Sequence, residues 1–292
     1  MAAGKGFSRV VLGVWRVTDW GMDASALAGF FSAAADLGVT SLDAADIYAD
    51  YGCEPVVGAA LAASPGLRDR LQLVTKCGIR LRSAKKPDVA VKHYDSSGAY
   101  VTAQVDESLR ALRTDRLDLL LIHRPDHLMD ADELAEAVVA LKQAGKVLAF
   151  GVSNFTPSQV ELLQSRLPFA LAGNQIECSL LARAPLFDGT LDQCQRLRMM
   201  PMAWSPLGGG RLMNDGAGPG LASVLGQVAS DTGLTTDQVA LAWLMRHPSR
   251  IHPVIGSGRI ERVRLAADAA AHGLDRQHWY RLLEAAQGHE VP

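Results

Sequence analysis

The sequence predicts a (β/α)8 barrel built as a single domain over residues 1–292. Eight short, apolar, β-prone runs alternate with stretches of helical periodicity along the whole chain, and no composition break or Pro/Ser-rich linker interrupts them. Runs that are apolar without strict alternation are those of strands buried on both faces, and parallel neighbours need crossovers of this length. Eight such units in one segment imply a closed barrel, and barrels of this kind routinely exceed 200 residues as one domain. A doubly wound sheet is the competing arrangement; it fits less well because no GxGxxG fingerprint follows the first run.

The elements read in order. Val10–Trp15 is an apolar first strand. Leu27, Phe30, Phe31, Ala34 and Leu37 have helical spacing over Ala24–Leu37, and Gly38 ends that helix. A second strand over Val39–Asp43 is followed by a helix over Glu54–Ala63, stopped by Ser64-Pro65-Gly66. The third strand is Leu71–Lys76, and the mixed, charged stretch from Cys77 to Ser97 reads as a long loop, a feature usually tied to function. A helix over Tyr100–Leu112 leads to the fourth strand, Leu117–His123, and one over Asp130–Ala144 to the fifth, Val147–Val152. Pro157 opens the next helix, to Ser165, as proline does in a first turn. Leu171–Ile176 and Met200–Trp204 are the sixth and seventh strands, with a helix over Gly189–Leu197 between them. Helices follow over Ala222–Thr232 and Thr236–Met245, the second behind an N-cap pattern. Pro253–Ile255 is the eighth strand, and helices over Arg259–Ala271 and Asp275–Gln287 close the chain.

Composition narrows the function classes. Hydrophobic residues make up 48% and charged residues 21%, with a net charge of −2, so no basic field argues for nucleic acid or a membrane surface. No apolar run reaches the roughly 18 residues of a membrane helix, and the N-terminus lacks the apolar core of a signal segment. Cys53, Cys77, Cys178 and Cys194 form no CxxC pair, which suits free thiols in a reducing cytoplasm. No heptad or apolar helical stripe marks an interface, so a monomer or a weakly associating oligomer is expected.

The chemistry collects where strands stop. Asp43, Lys76 and His123 end the second, third and fourth strands, and Tyr48 lies just beyond the second. In a barrel these positions share one mouth, the C-terminal face where catalysis occurs. Singly, each has an ordinary structural role: a turn cap, a lysine reaching solvent, a core histidine, a packed loop tyrosine. Three ionisable groups at three successive strand ends, with a tyrosine beside them, point instead to proton transfer to an oxygen. A free phenol, with a pKa near ~10, is a poor acid at neutral pH, and a nearby ammonium lowers that value. Asp43 would keep Lys76 charged and aimed, and His123 could bind and orient a carbonyl oxygen. Such a pocket needs a hydride carrier alongside.

Glycine-rich turns offer it a place. Ser205-Pro206-Leu207-Gly208-Gly209-Gly210-Arg211 follows the seventh strand, and Gly256-Ser257-Gly258-Arg259 follows the eighth and opens a helix. Barrels often bind phosphate with these two loops, where free N–H groups and the helix dipole attract an anion. Arg259 and Arg262, one turn apart, could reach an added phosphate, although glycines that merely make turns and arginines on a solvated face would look the same. His123 and His127 are spaced i, i+4, but Pro125 between them argues against a shared helical face, so no metal site is expected. Cys77 should point away from Lys76, its strand neighbour, and Trp243 has the spacing of a core residue.

Asp43-x-Ala45-x-x-Tyr48, Thr75-Lys76, Ile122-His123, Gly151-Val152-Ser153-Asn154-Phe155, Asn174-Gln175, Trp204-Ser205-Pro206-Leu207 and Ile255-Gly256-Ser257, in this order and spacing, resemble the aldo-keto reductase superfamily. The resemblance covers essentially the whole chain. It implies a (β/α)8 barrel that reduces aldehydes and ketones with NADPH. Carried over residue by residue, it implies that Tyr48 is the general acid, that Lys76 paired with Asp43 lowers its pKa, and that His123 positions the carbonyl. Ser153, Asn154 and Gln175 would hold the nicotinamide carboxamide, and Trp204 would stack on the nicotinamide. Ser205, Leu207 and Gly208 would line the pyrophosphate loop. Ser257 and Arg262 would hold the 2′-phosphate with Arg259 nearby, and Trp15 would wall a pocket for a small carbonyl substrate. Two departures stand out. Leu265 and Ala266 occupy the positions of a Glu-Asn pair that grips adenine in many members, and Arg124 replaces a common aromatic. Two other readings remain: a cofactor-binding regulatory subunit with little turnover, and a lyase forming a Schiff base on Lys76.

Overall fold

A computed structural model describes residues 6–292. Residues 1–5, on which the reading of the N-terminus partly rests, lie outside the described residues. The strands are β1 (Val11–Gly13), β2 (Ser41–Asp43), β3 (Gln72–Cys77), β4 (Ile79–Arg80), β5 (His93–Tyr94), β6 (Leu119–Ile122), β7 (Phe150–Ser153), β8 (Gly173–Glu177), β9 (Met200–Trp204) and β10 (His252–Ile255). Eight of them close a parallel barrel in the order β1-β10-β9-β8-β7-β6-β3-β2, and helices surround it.

The predicted barrel is therefore present; β1, β2, β6, β7 and β8 are shorter than the apolar runs suggested, because only the part of each run that meets a neighbour forms a ladder, while β3 and β9 keep the predicted length and β10 starts one residue earlier. The stretch predicted as a loop from Cys77 to Ser97 is the main correction. Its ends pair as an antiparallel hairpin, with Ile79 opposite Tyr94 and Arg80 opposite His93. Ion pairs from Arg80 to Asp88 and from Lys86 to Glu107 hold the segment down. Short 3-10 turns over Val17–Trp20 and Gly208–Met213 also escaped the periodicity, since runs of four to six residues are too short to show one. The helix predicted from Ala222 starts earlier, at Gly218.

Two shells of apolar side chains build the body. Val11, Val74, Leu119, Leu121, Met202 and Val254 fill the barrel interior. Leu12, Leu42, Leu73, Cys77, Leu120 and Ile122 face outward into the layer shared with the helices. This alternation sets up the site. Side chains two apart on a strand share a face, so Val74 brings Lys76 inward, Leu121 brings His123, and Met202 brings Trp204. The same rule turns Cys77 away, as the sequence predicted. Trp243 is buried as predicted, and it stacks on Trp279 at 5.2 Å with each indole N–H donating to the other residue's carbonyl. That pairing fastens the last helix, Arg276–Gln287, to the barrel. Among the described residues no helix is long and apolar enough to cross a membrane.

One stability prediction arises at the foot of the barrel. His252 lies 2.9 Å through Nδ1 from the Ser8 carbonyl, and burial pushes its imidazole down to about 4. The unfolded histidine takes a proton near ~6.5, so below that value protons favour the unfolded chain. Stability should fall by about 2 kcal/mol between pH 7 and pH 5 through this group alone. Denaturant midpoints at the two pH values, compared for the wild type and His252→Gln, check it: the variant should show a flatter dependence.

Candidate active site

Lys76 is the hub of the mouth. It is 0% exposed, and its Nζ donates to Asp43 Oδ2 at 2.8 Å, to the Ala44 carbonyl at 2.8 Å and to Tyr48 Oη at 3.1 Å. Asp43, 2% exposed, receives a second bond on its other oxygen from Gln175 Nε2 at 2.8 Å. Both carboxylate oxygens are thus held, one from β3 and one from β8 across the barrel. Sequence spacing gave no sign of the Gln175 bond, which joins residues 132 apart.

The Tyr48 ring leans against His123, with centroids 5.7 Å apart at 77°, and lies 6.4 Å from the Trp15 ring. Trp15 is 59% exposed and stands at the rim. After Tyr48 the backbone turns through positive φ at Ala49 (51°), Asp50 (51°) and Tyr51 (59°). Side chains disfavour that region, and such conformations gather at functional sites.

Electrostatics separates the three groups. Burial works against the Lys76 charge, but Asp43 and Tyr48 outweigh it and its pKa lies above the ordinary lysine value. Burial also pushes the Tyr48 phenol up, with Lys76 pulling the other way and offsetting part of the rise. The sequence argument that Lys76 brings the phenol below its free value is corrected accordingly: in the free protein, desolvation prevails. Burial first, then Lys76, Arg124 and Lys92, hold the His123 imidazole well below the ordinary histidine value, so it is neutral in the physiological range. Its Nδ1 is buried with no hydrogen-bond partner among the described residues.

Beside this group the second half of the chain presents a ledge. Ser153 Oγ donates to the Gln175 carbonyl, Asn154 Nδ2 donates to Ser153 Oγ at 2.8 Å, and Trp204 Nε1 donates to Asn154 Oδ1 at 2.9 Å. Asn154 itself sits at φ 61°. Its amide is already bound to the indole it was expected to accompany, so its visible task is to fix the plane of Trp204. Beyond Trp204, Gly208, Gly209 and Gly210 have φ of 60°, 68° and 93°, and the N–H groups of Gly208 and Gly210 donate to the Ser205 and Leu207 carbonyls at 2.8 and 3.0 Å, closing a tight turn that only glycine adopts without strain. Ser257 is partly exposed, with Oγ accepting from the Arg259 N–H. A side chain at Gly258 would strike the Trp20 ring at 2.6 Å, so the indole packs on bare backbone there and braces the loop. Arg259 and Arg262 are exposed and form no ion pair among the described residues. A flat ring, amide groups, the Ser257 hydroxyl and the exposed guanidinium groups of Arg259 and Arg262 make a donor set that fits a phosphorylated dinucleotide. The adenine-grip departure is physical: Ala266 is buried in the core, and the Leu265 carbonyl accepts from Gln238.

The sequence model of the Aldo/keto reductase family matches residues 9–287. The chain belongs to the aldo/keto reductase family. With that family it is an oxidoreductase. It is 51% identical over 290 residues to Oxidoreductase YdhF of Escherichia coli (strain K12), spanning 99% of this chain and 97% of that one. It is 46% identical over 288 residues to the 6-dehydroglucose reductase of Agrobacterium fabrum, spanning 97% and 96%. Among solved structures, the aldo/keto reductase from Klebsiella pneumoniae in complex with NADP and acetate superposes with a TM-score of 0.78 at 29% identity, covering 98% of this chain and 93% of that one. Aldo/keto reductase membership and the barrel thus agree, reached from sequence and from shape.

Proposed function

We propose that the protein reduces an aldehyde or ketone to the alcohol with NADPH, using Tyr48 as general acid. The observation that carries this reading is the single Nζ of Lys76 bonded at once to Asp43, Ala44 and Tyr48, beside a neutral His123. NADPH, when bound, supplies the hydride. Tyr48 gives its proton to the carbonyl oxygen as negative charge develops there, and the Lys76 ammonium stabilises the phenolate left behind. Asp43 and Gln175 keep Lys76 cationic and in place. Neutral His123 donates a hydrogen bond to the same oxygen and orients it. Trp15 walls the pocket. Ser153, Asn154, Gln175 and Trp204 form the seat for the nicotinamide end; Ser205, Leu207 and Gly208 form that for the pyrophosphate. Ser257, Arg259 and Arg262 would bind the 2′-phosphate. The identity to a 6-dehydroglucose reductase supports a hydroxylated aldehyde as substrate class.

The cofactor assignment is testable apart from the chemistry. Arg262→Ala should weaken NADPH by tenfold or more, since hydrogen bonds to charged groups are worth about 1.5–3 kcal/mol. NADH affinity should stay within about twofold, because no phosphate is there to lose a contact. Binding titrations of both nucleotides decide it; an equal loss would remove Arg262 from the 2′-phosphate site.

A further inference from the structure

Arg124 and Lys92, the two cations after Lys76 that bear on the His123 imidazole, have no work in the scheme above. Arg124 directly follows His123, is half-buried, and holds its guanidinium carbon 5.7 Å from the centre of the Trp204 ring. Lys92 immediately precedes β5, on the hairpin segment that follows β3. Neither forms a salt bridge or a side-chain hydrogen bond among the described residues, and both bear on the His123 imidazole, lowering it.

The acids nearby in sequence are engaged elsewhere. Asp126 accepts from the N–H and hydroxyl of Ser96 through one oxygen and from the Leu128 N–H through the other. Asp95 accepts from the N–H and hydroxyl of Ser97, and Asp88 pairs with Arg80. On the same segment Arg80 and Lys86 have carboxylate partners, and Lys85 donates to the Asp50 carbonyl at 2.7 Å. The Arg124 guanidinium therefore has its donors available at the mouth, and its planar fork suits two oxygens at once.

We propose that Arg124 binds oxygen atoms on the carbons next to the reacting carbonyl, so that the enzyme selects hydroxylated or carboxylated aldehydes and ketones over hydrocarbon ones. Arg124 is then a specificity-determining residue, and its neighbour His123 fixes where the carbonyl lies relative to it. The proposal rests on the reduction reading above.

The test compares kcat/KM for glyceraldehyde, glyoxylate and propanal with NADPH, in the wild type, Arg124→Met, Arg124→Lys and Lys92→Met. The wild type should favour glyceraldehyde or glyoxylate over propanal. Arg124→Met should cut that preference tenfold or more, and Lys92→Met by less. Arg124→Lys, which keeps the charge and loses the fork, should recover part of it and serves if the methionine variant does not fold. A larger loss for glyoxylate assigns a carboxylate to Arg124; a larger loss for glyceraldehyde assigns a hydroxyl. Activity with an unchanged preference overturns the proposal and leaves the reductase reading standing. A wild type that turns over none of the three overturns both.

Discussion

Tyr48→Phe should lower kcat about a thousandfold while NADPH still binds, since a positioned acid contributes about 10²–10⁴. The change removes one oxygen, and among the described residues that oxygen makes one hydrogen bond, accepted from Lys76 Nζ at 3.1 Å. The ring keeps its place against His123 and Trp15. The loss should therefore fall on turnover, with KM for the carbonyl changed little, the pattern of an interaction made only in the transition state. The raised phenol sharpens the expectation. Tyr48 is protonated throughout the neutral range, so the reduction rate should be flat there and fall only on the basic side. His123, held neutral, should add no inflection near the ordinary histidine value. Steady-state rates across pH, with nucleotide binding by fluorescence titration, measure both. Retained turnover in Tyr48→Phe would take the acid role from Tyr48.

The second large effect is on stability and activity together. Lys76→Met removes the cation and leaves the Asp43 carboxylate buried, with Gln175 as its remaining donor. Breaking one side of a buried pair costs about 3–5 kcal/mol, because the other charge stays desolvated. For a chain of this size that lowers Tm by roughly 10 °C. Replacing both, as Lys76→Met with Asp43→Leu, should restore much of the stability and none of the turnover, since an apolar pair of similar volume removes the uncompensated charge. Thermal melts of the single and double variants check this. If the double variant is as unstable as the single, the loss comes from packing rather than from the stranded carboxylate.

Residue spacing showed the barrel because its strands are contiguous in sequence and buried on both faces, which is a local property. It also showed Asp43, Lys76 and His123, because strand ends can be read and the two-residue period then says which way a side chain points. The hairpin from Ile79 to Tyr94 was hidden: its paired segments are two residues long, too short for a pattern. The Gln175 bond to Asp43 and the Asn154 bond to Trp204 were hidden for a different reason. Each depends on where distant strands bring amide groups, and an amide carries no preference for one partner in its sequence. The direction of the Tyr48 shift needed burial, which only packing reveals. Arg124 stood out in the sequence as a departure, but its lack of a partner became visible only once Asp126 and Asp95 were seen to be engaged.

A lyase using Lys76 requires an uncharged amine, whereas Asp43 and Tyr48 favour the ammonium. A regulatory subunit would bind NADPH and leave it intact. Transfer of deuterium separates all three readings. NADPH deuterated at the transferred position, incubated with the protein and glyceraldehyde, should place deuterium on the carbinol carbon of glycerol in step with NADPH consumed. Bound NADPH that passes no deuterium to any aldehyde or ketone tried, or substrate fixed to Lys76 by borohydride, would contradict the reductase assignment.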